Sequence, residues 1–271
     1  MGKFTLRLGR SIGFCQESFY ELLRETKDLG YDTFDFDIAG AWPNEEKENA
    51  HYAHLEWGME YVKKVGLPVN GIHVSFGGRW DYSDTNEENR RKVVENTKKI
   101  FARTATLNPY CYILHGSFEP IDDKDRAAKL AALVQSVKEL ADSTPAYICL
   151  EVLPRTCLLN TAKETLEVME KVNIDNVRVC VDVNHFLQEK SEDGLRALGK
   201  WVKTLHISDH DYENERHWLP GEGKIDWMKL IGVLEEIGYK GVFNYECSRY
   251  TPVQMKENFE RLFARYNAEK E

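Results

Sequence analysis

Residues 147–185 read YICLEVLPRTCLLNTAKETLEVMEKVNIDNVRVCVDVNH. Two short apolar runs, YICLEV and VRVCVDV, flank a segment of different periodicity. The runs are rich in β-branched residues and apolar on both faces, as parallel strands covered on both sides are. Between them, Thr161 with Glu164 reads as a capping box ahead of Leu166 and Met169. The stretch is therefore a strand–helix–strand unit. Each strand candidate carries a carboxylate at its end, Glu151 in the first and Asp182 in the second.

The same alternation runs outward to both ends. Strand candidates are FTLRLG (4–9), DTFDFDI (32–38), VNGIHVSF (69–76), CYILH (111–115), YICLEV (147–152), VRVCVDV (177–183), VKTLHIS (202–208) and GVFNYEC (241–247). Helix starts fall between them. Thr85 with Glu88 reads as a capping box before Val93, Val94, Ile100 and Phe101, and Asp226 as the N-cap of a helix bearing Leu230, Ile231, Leu234 and Ile237. Thr251, with Pro252 first and Gln254 third, opens a last helix whose apolar stripe is Met255, Phe259, Leu262, Phe263 and Tyr266. Regular βα alternation over 271 residues predicts an α/β protein, a single (β/α)8 barrel domain spanning 1–271. A doubly wound sheet is the rival, but no Gly-rich nucleotide loop follows any strand candidate.

Composition narrows the function classes. A formal net charge of -9 weighs against a nucleic-acid partner, which needs a basic surface. No apolar run approaches a membrane span. The start, MGKFTLRLGRSIGF, has no signal-peptide apolar core, so the cytoplasm is the expected location. The six cysteines (Cys15, Cys111, Cys149, Cys157, Cys180, Cys247) are scattered without a CxxC pair and read as reduced.

Polar residues gather where the strand candidates end, the face that carries active sites in such barrels. Glu151, Asp182, His206 and Glu246 end the fifth to eighth. After an apolar run a carboxylate is costly unless paired or metal-bound. Singly, each reads as well as a helix cap or a core residue. Together they make an oxygen-and-nitrogen set suited to a divalent ion. His73 and His115 end the third and fourth strands. Of Asp35 and Asp37 in the second, one is expected to face the pocket and the other a helix. Gly221 and Gly223 are read as residues of a tight turn. Phe14, Trp42, Trp80 and Trp218 lie at or after strand ends, where sugar stacking competes with ordinary packing. Arg79 and Arg155 could meet a phosphate, but neither lies in a Gly-rich cradle.

Five motifs in order, ICLEVLP (148–154), DVNH (182–185), LHISD (205–209), PGEGKIDW (220–227) and FNYE (243–246), resemble those of the xylose-isomerase-like barrels, nearest the tagatose-epimerase and hydroxypyruvate-isomerase branches. The resemblance implies one divalent ion (Mn, Mg, Co or Zn) held by Glu151, Asp182, His206 and Glu246. It implies Glu151 and Glu246 as an acid/base pair acting on a ketose-type sugar or sugar phosphate through an ene-diolate. His185, His217 and Glu215 then become substrate contacts, with His73, His115 and Trp218 lining the pocket. Many such proteins pair into homodimers or homotetramers. Two rival readings share the fold. His73, His115, Glu151, Asp182, His185, His206, Glu215, His217 and Glu246 also resemble the trinuclear zinc site of endonuclease IV, with Glu215 where that family has aspartate. A non-catalytic sugar-binding barrel is the third.

Overall fold

The computed structural model describes residues 2–14, 18–38 and 45–270, with side chains excluded for 45–51. Cys15 and Trp42 lie outside the described residues.

Eight strands alternate with eight helices among these residues: β1 Arg7–Gly13, α1 Phe19–Asp28, β2 Phe34–Asp37, α2 Glu45–Val65, β3 Val69–His73, α3 Glu87–Thr104, β4 Cys111–Leu114, α4 Asp123–Ala141, β5 Tyr147–Glu151, α5 Ala162–Val172, β6 Val177–Asp182, α6 Ser191–Leu198, β7 Val202–His206, α7 Trp227–Glu236, β8 Val242–Tyr245 and α8 Pro252–Glu269. All pairings are parallel, in the order β7-β6-β5-β4-β3-β2-β1-β8. The ring closes one residue past β7. Ile207 N donates to Asn244 O at 2.8 Å, and Glu246 N donates to Ile207 O at 3.0 Å. The result is the (β/α)8 barrel that the alternation predicts.

Strand periodicity sets what the barrel encloses. Cys111, Ile113, Cys149 and Cys180 form a fully buried interior cluster. Two residues on from Cys149 comes Glu151, and two on from Cys180 comes Asp182. The same step leads from Thr204 to His206 and from Asn244 to Glu246. The strand-end side chains thus point into the barrel mouth because their strands already point smaller residues into its interior. The described cysteines are all free and buried. Among the described residues, no helix is long and apolar enough to cross a membrane.

Four local expectations change. The first strand lies later than FTLRLG, because Arg7–Arg10 pair with β8 and Ser11–Gly13 with β2. Phe4 instead joins α8, with its amide on Asn267 Oδ1 at 2.8 Å and its ring against Phe263. Helix α3 is capped by Asn86, not Thr85; the Asn86 side chain accepts from Glu88 N and Asn89 N. Thr161 caps α5 as expected, but Glu164 does not close the box, since Arg126 and Leu159 N hold its carboxylate. Asp35 and Asp37 do not face opposite ways, because two residues on one strand share a face. The other caps match. Asp226 accepts from Lys229 N, and Thr251 with Gln254 forms a full capping box. Phe14 and Trp80 are buried packing residues, 1% and 5% exposed.

Candidate metal centre and active site

Glu151, Asp182, His206 and Glu246 converge. Each offers one donor atom, and the four atoms all lie within 4.8 Å of one another. His206 Nδ1 is 3.0 Å from Glu151 Oε1 and 3.2 Å from Glu246 Oε2. The Asp182 side chain is fully buried, and its Oδ2 makes no hydrogen bond. His185 Nε2 lies 3.3 Å from that oxygen but is not aligned on it. A buried carboxylate oxygen without a donor is costly, and a divalent cation meets that need. The residues present therefore fit a bound ion, with Glu151, Asp182, His206 and Glu246 as its holders. Exposure separates the four: the Glu246 side chain is 25% exposed, the others at most 1%.

Histidines surround Glu151. His73 Nε2 and His115 Nε2 both approach its Oε2 at 3.1 Å. Burial works against the Glu151 charge, but His206 and His115 outweigh it and hold the pKa well below the usual carboxylate value. Glu246 is lowered in the same way, burial being overcome by His206. Asp182 goes up to about 7, chiefly by burial, against the charge of His185. Burial alone would depress His73, yet its hydrogen bond to Glu151 leaves it at about 9. His185 reaches about 10 against burial, through Asp182 and Glu215. His115 stays lowered, by burial. The cluster is an array of imidazole–carboxylate pairs in which the imidazoles sit among four acidic groups, Glu151, Asp182, Glu215 and Glu246.

The segment between β7 and α7 brings further residues. Asp209, fully buried, accepts from His210 N (2.9 Å), Gly221 N (2.8 Å), Ile225 N (3.2 Å) and Trp227 Nε1 (2.8 Å). Its backbone also pairs with that of Trp218. Gly221 takes a positive φ of 96°, as expected of a turn, whereas Gly223 is needed for close approach. A Cβ at Gly223 would stand 2.4 Å from Asp209 Oδ1 and from His210 O. So shaped, the loop sets Glu215 Oε2 3.1 Å from His185 Nε2. His217 Nδ1 lies 3.1 Å from Glu246 O. Trp218 is half-buried beneath the Arg216 guanidinium, 5.6 Å from its ring centre. Arg155 is held between Glu119 (2.9 Å) and Glu215 (2.5 Å). Its charge is therefore committed to carboxylates. The Glu215 pKa is lowered to about 2, first by the His185 hydrogen bond and then by Arg155.

The xylose isomerase-like TIM barrel family model matches residues 23–265. The chain belongs to that family. The chain is similar to D-psicose 3-epimerase of Ruminiclostridium cellulolyticum, 32% identical over 125 residues, which is 45% of this chain and 41% of that protein. L-ribulose 3-epimerase of Mesorhizobium japonicum is 26% identical over 248 residues, covering 87% of this chain and 77% of the relative. A solved D-tagatose 3-epimerase-like protein superposes with a TM-score of 0.81 at 20% identity, covering 98% of this chain and all of that one.

Within this xylose isomerase-like barrel, Asp209 and Phe76 have no role assigned from sequence, and Asp35, named there only with Asp37 as facing pocket or helix, has a different one. Asp35 is fully buried inside the barrel, with Oδ2 3.3 Å from His206 Nε2. The repeated FDFD pattern hinted at it, since period two forces both aspartates onto one face. Asp209 was quoted only within LHISD and gave no sign of its loop-building role. Phe76, 44% exposed, stacks on His115 at 4.3 Å and walls one side of the mouth. The exposed ring was hidden in a run that reads as strand.

Proposed function

We propose that this protein is a divalent-metal-dependent epimerase or isomerase of a ketose-type sugar. One observation supports the reading above all. Donor atoms of Glu151, Asp182, His206 and Glu246 lie within 4.8 Å of one another at the barrel mouth, and of these side chains Glu246 is the one open to solvent. The relatives' names supply the substrate class, because psicose and ribulose are ketoses. An ion at that point supplies Lewis-acid polarisation of neighbouring carbonyl and hydroxyl oxygens. Glu246, the more open carboxylate, takes the α-proton. Glu151, braced by His73, His115 and His206, faces it across the site and serves as the second acid/base group. A proton returned to the opposite face of the same carbon gives an epimer; return to the neighbouring carbon interconverts aldose and ketose. His185 Nε2, between Asp182 and Glu215, and His217 are placed to hold substrate oxygens. His73 and His115 act through Glu151. Trp218 shapes the loop. With Arg155 engaged by two carboxylates, an unphosphorylated sugar fits better than a phosphate ester.

The test is to incubate the metal-loaded protein with a panel of ketoses in D2O. Deuterium should enter beside the carbonyl of at least one. Failure of every ketose to exchange, with metal bound, would remove the proposal.

A second reading has its own support. Of the further groups with metal-binding potential, two bring in at least two residues beyond the first four ligands, His73 with His115 and Glu151, and His185 with Glu215 and His217. This second reading is the endonuclease IV-like one, a trinuclear zinc phosphodiesterase cutting the DNA backbone at abasic sites; three ions per chain and cleavage at an abasic site would favour it. A single ion per chain with ketose exchange would favour the epimerase.

A further inference from the structure

Inside the barrel, beneath the proposed ion, lies a carboxylate that the reaction scheme does not use. Asp35 is 0% exposed, and both its oxygens are saturated by donors from other strands. Oδ1 accepts from Asn70 Nδ2 at 2.7 Å and from Gly71 N at 2.7 Å. Oδ2 accepts from Asn244 Nδ2 at 2.9 Å and faces His206 Nε2 at 3.3 Å. Second contacts fix the donors in turn. Asn70 also reaches Thr204 Oγ1 at 3.1 Å, and Asn244 also reaches Ser11 Oγ at 3.0 Å. Position 71 is glycine for the same reason: a Cβ there would stand 2.8 Å from Asp35 Oδ1. The carboxylate thus has one position, set by residues of β1, β3, β7 and β8.

His206 is the only partner of Asp35 in this network that also touches the ligand group. Its Nδ1 faces the oxygens of Glu151 and Glu246, while Nε2 faces Asp35. An imidazole that donates through one nitrogen presents the lone pair of the other. We propose that Asp35 is a positioning residue for the metal centre: its buried carboxylate keeps the His206 proton on Nε2 and the ring in plane, so that Nδ1 is the nitrogen turned to the ion. This rests on the metal-site reading above and extends it to a residue outside the mouth. The ring is clamped from below before any ion arrives, which cuts the ordering required on binding.

The experiment follows manganese(II) binding by electron paramagnetic resonance in the wild type, Asp35→Asn and His206→Gln. Asparagine keeps the size of the side chain but turns an amide N–H toward His206, favouring the wrong tautomer. Asp35→Asn should weaken manganese binding about 10–100-fold, the usual effect of losing such a partner. A purely structural Asp35 would instead lower the melting temperature of the metal-free protein and leave the affinity of the folded fraction at the wild-type value; that result overturns the inference. Should His206→Gln bind manganese as the wild type does, the metal-site reading itself fails, and the two failures are told apart. If Asp35→Asn does not fold, long-range 1H–15N correlation spectra of the zinc-loaded wild type decide. They should show His206 protonated at Nε2, and a proton on Nδ1 overturns the proposal.

Discussion

Glu151 and Glu246 carry the same functional group in different surroundings, and their substitutions should part accordingly. Glu246→Gln touches a side chain that is one-quarter exposed. It should leave the urea midpoint nearly unchanged while slowing solvent-deuterium uptake into the ketose by about 10²–10⁴-fold. Glu151→Gln removes a buried charge from among His73, His115 and His206. It should lower the unfolding free energy of the metal-free protein by about 3–5 kcal/mol as well as stopping exchange. Equal stability losses in the two variants would contradict the assigned surroundings. The identity of these residues was legible only from the four taken together, because a single carboxylate after an apolar run serves equally as a helix cap. What each one touches was not, since His73 and Glu151 are 78 residues apart and meet only when the strands wrap.

At the level of elements, the segment from β7 to α7 depends on one side chain. Asp209→Ala strips four donors of their acceptor and should cost about 3 kcal/mol in urea unfolding. Because the loop carries Glu215 and His217, the Michaelis constant for the ketose should rise too. Gly223→Ala should imitate it through collision with Asp209 and His210, at about 1–3 kcal/mol. Thr251→Ala offers the contrast. Losing the capping box at the start of α8 should cost about 1 kcal/mol and leave turnover unaltered. Caps were partly readable in advance. Thr251 and Asp226 were found because their competitors are poor, whereas Asn86 beside Thr85 is an equally good acceptor and won on geometry. Asp209 escaped notice because nothing local marks a side chain three of whose four partners arrive twelve to eighteen residues later.

For the whole molecule, the sharpest stability signature should lie on the acid side. His210 is fully enclosed, its Nδ1 accepts from Tyr212 N at 3.3 Å, and its Nε2 meets Ser191 Oγ at 3.3 Å. Burial lowers its pKa to about 4. The folded state thus resists a proton that the unfolded chain accepts near 6.5, so the contribution of this imidazole is complete above that value and drains away as pH falls toward 4, while Asp182, raised to about 7, works in the opposite direction over the same window. Below about 4.5 Glu215 adds a second loss, since its folded value near 2 makes protonation uncouple it from His185 and Arg155. Urea titrations at stepped pH should show both windows, and His210→Gln should flatten the upper one. A variant curve that still falls between 6.5 and 4 with the wild-type slope would dismiss His210 as the cause. The architecture itself was readable from alternation together with the lack of a Gly-rich nucleotide loop, because eight covered strands have few ways to bury both faces. Where the ring would join was not readable, because the seam is made by backbone atoms of Ile207, Asn244 and Glu246 that any residue types could supply.

That seam ties the chemistry to the topology. Glu151, Asp182 and His206 come from β5, β6 and β7, at one end of the run of paired strands, whereas Glu246 follows β8, at the other end. A cation held by all four would bridge the two ends and act as a latch, adding its binding free energy to the closed ring and not to an opened one.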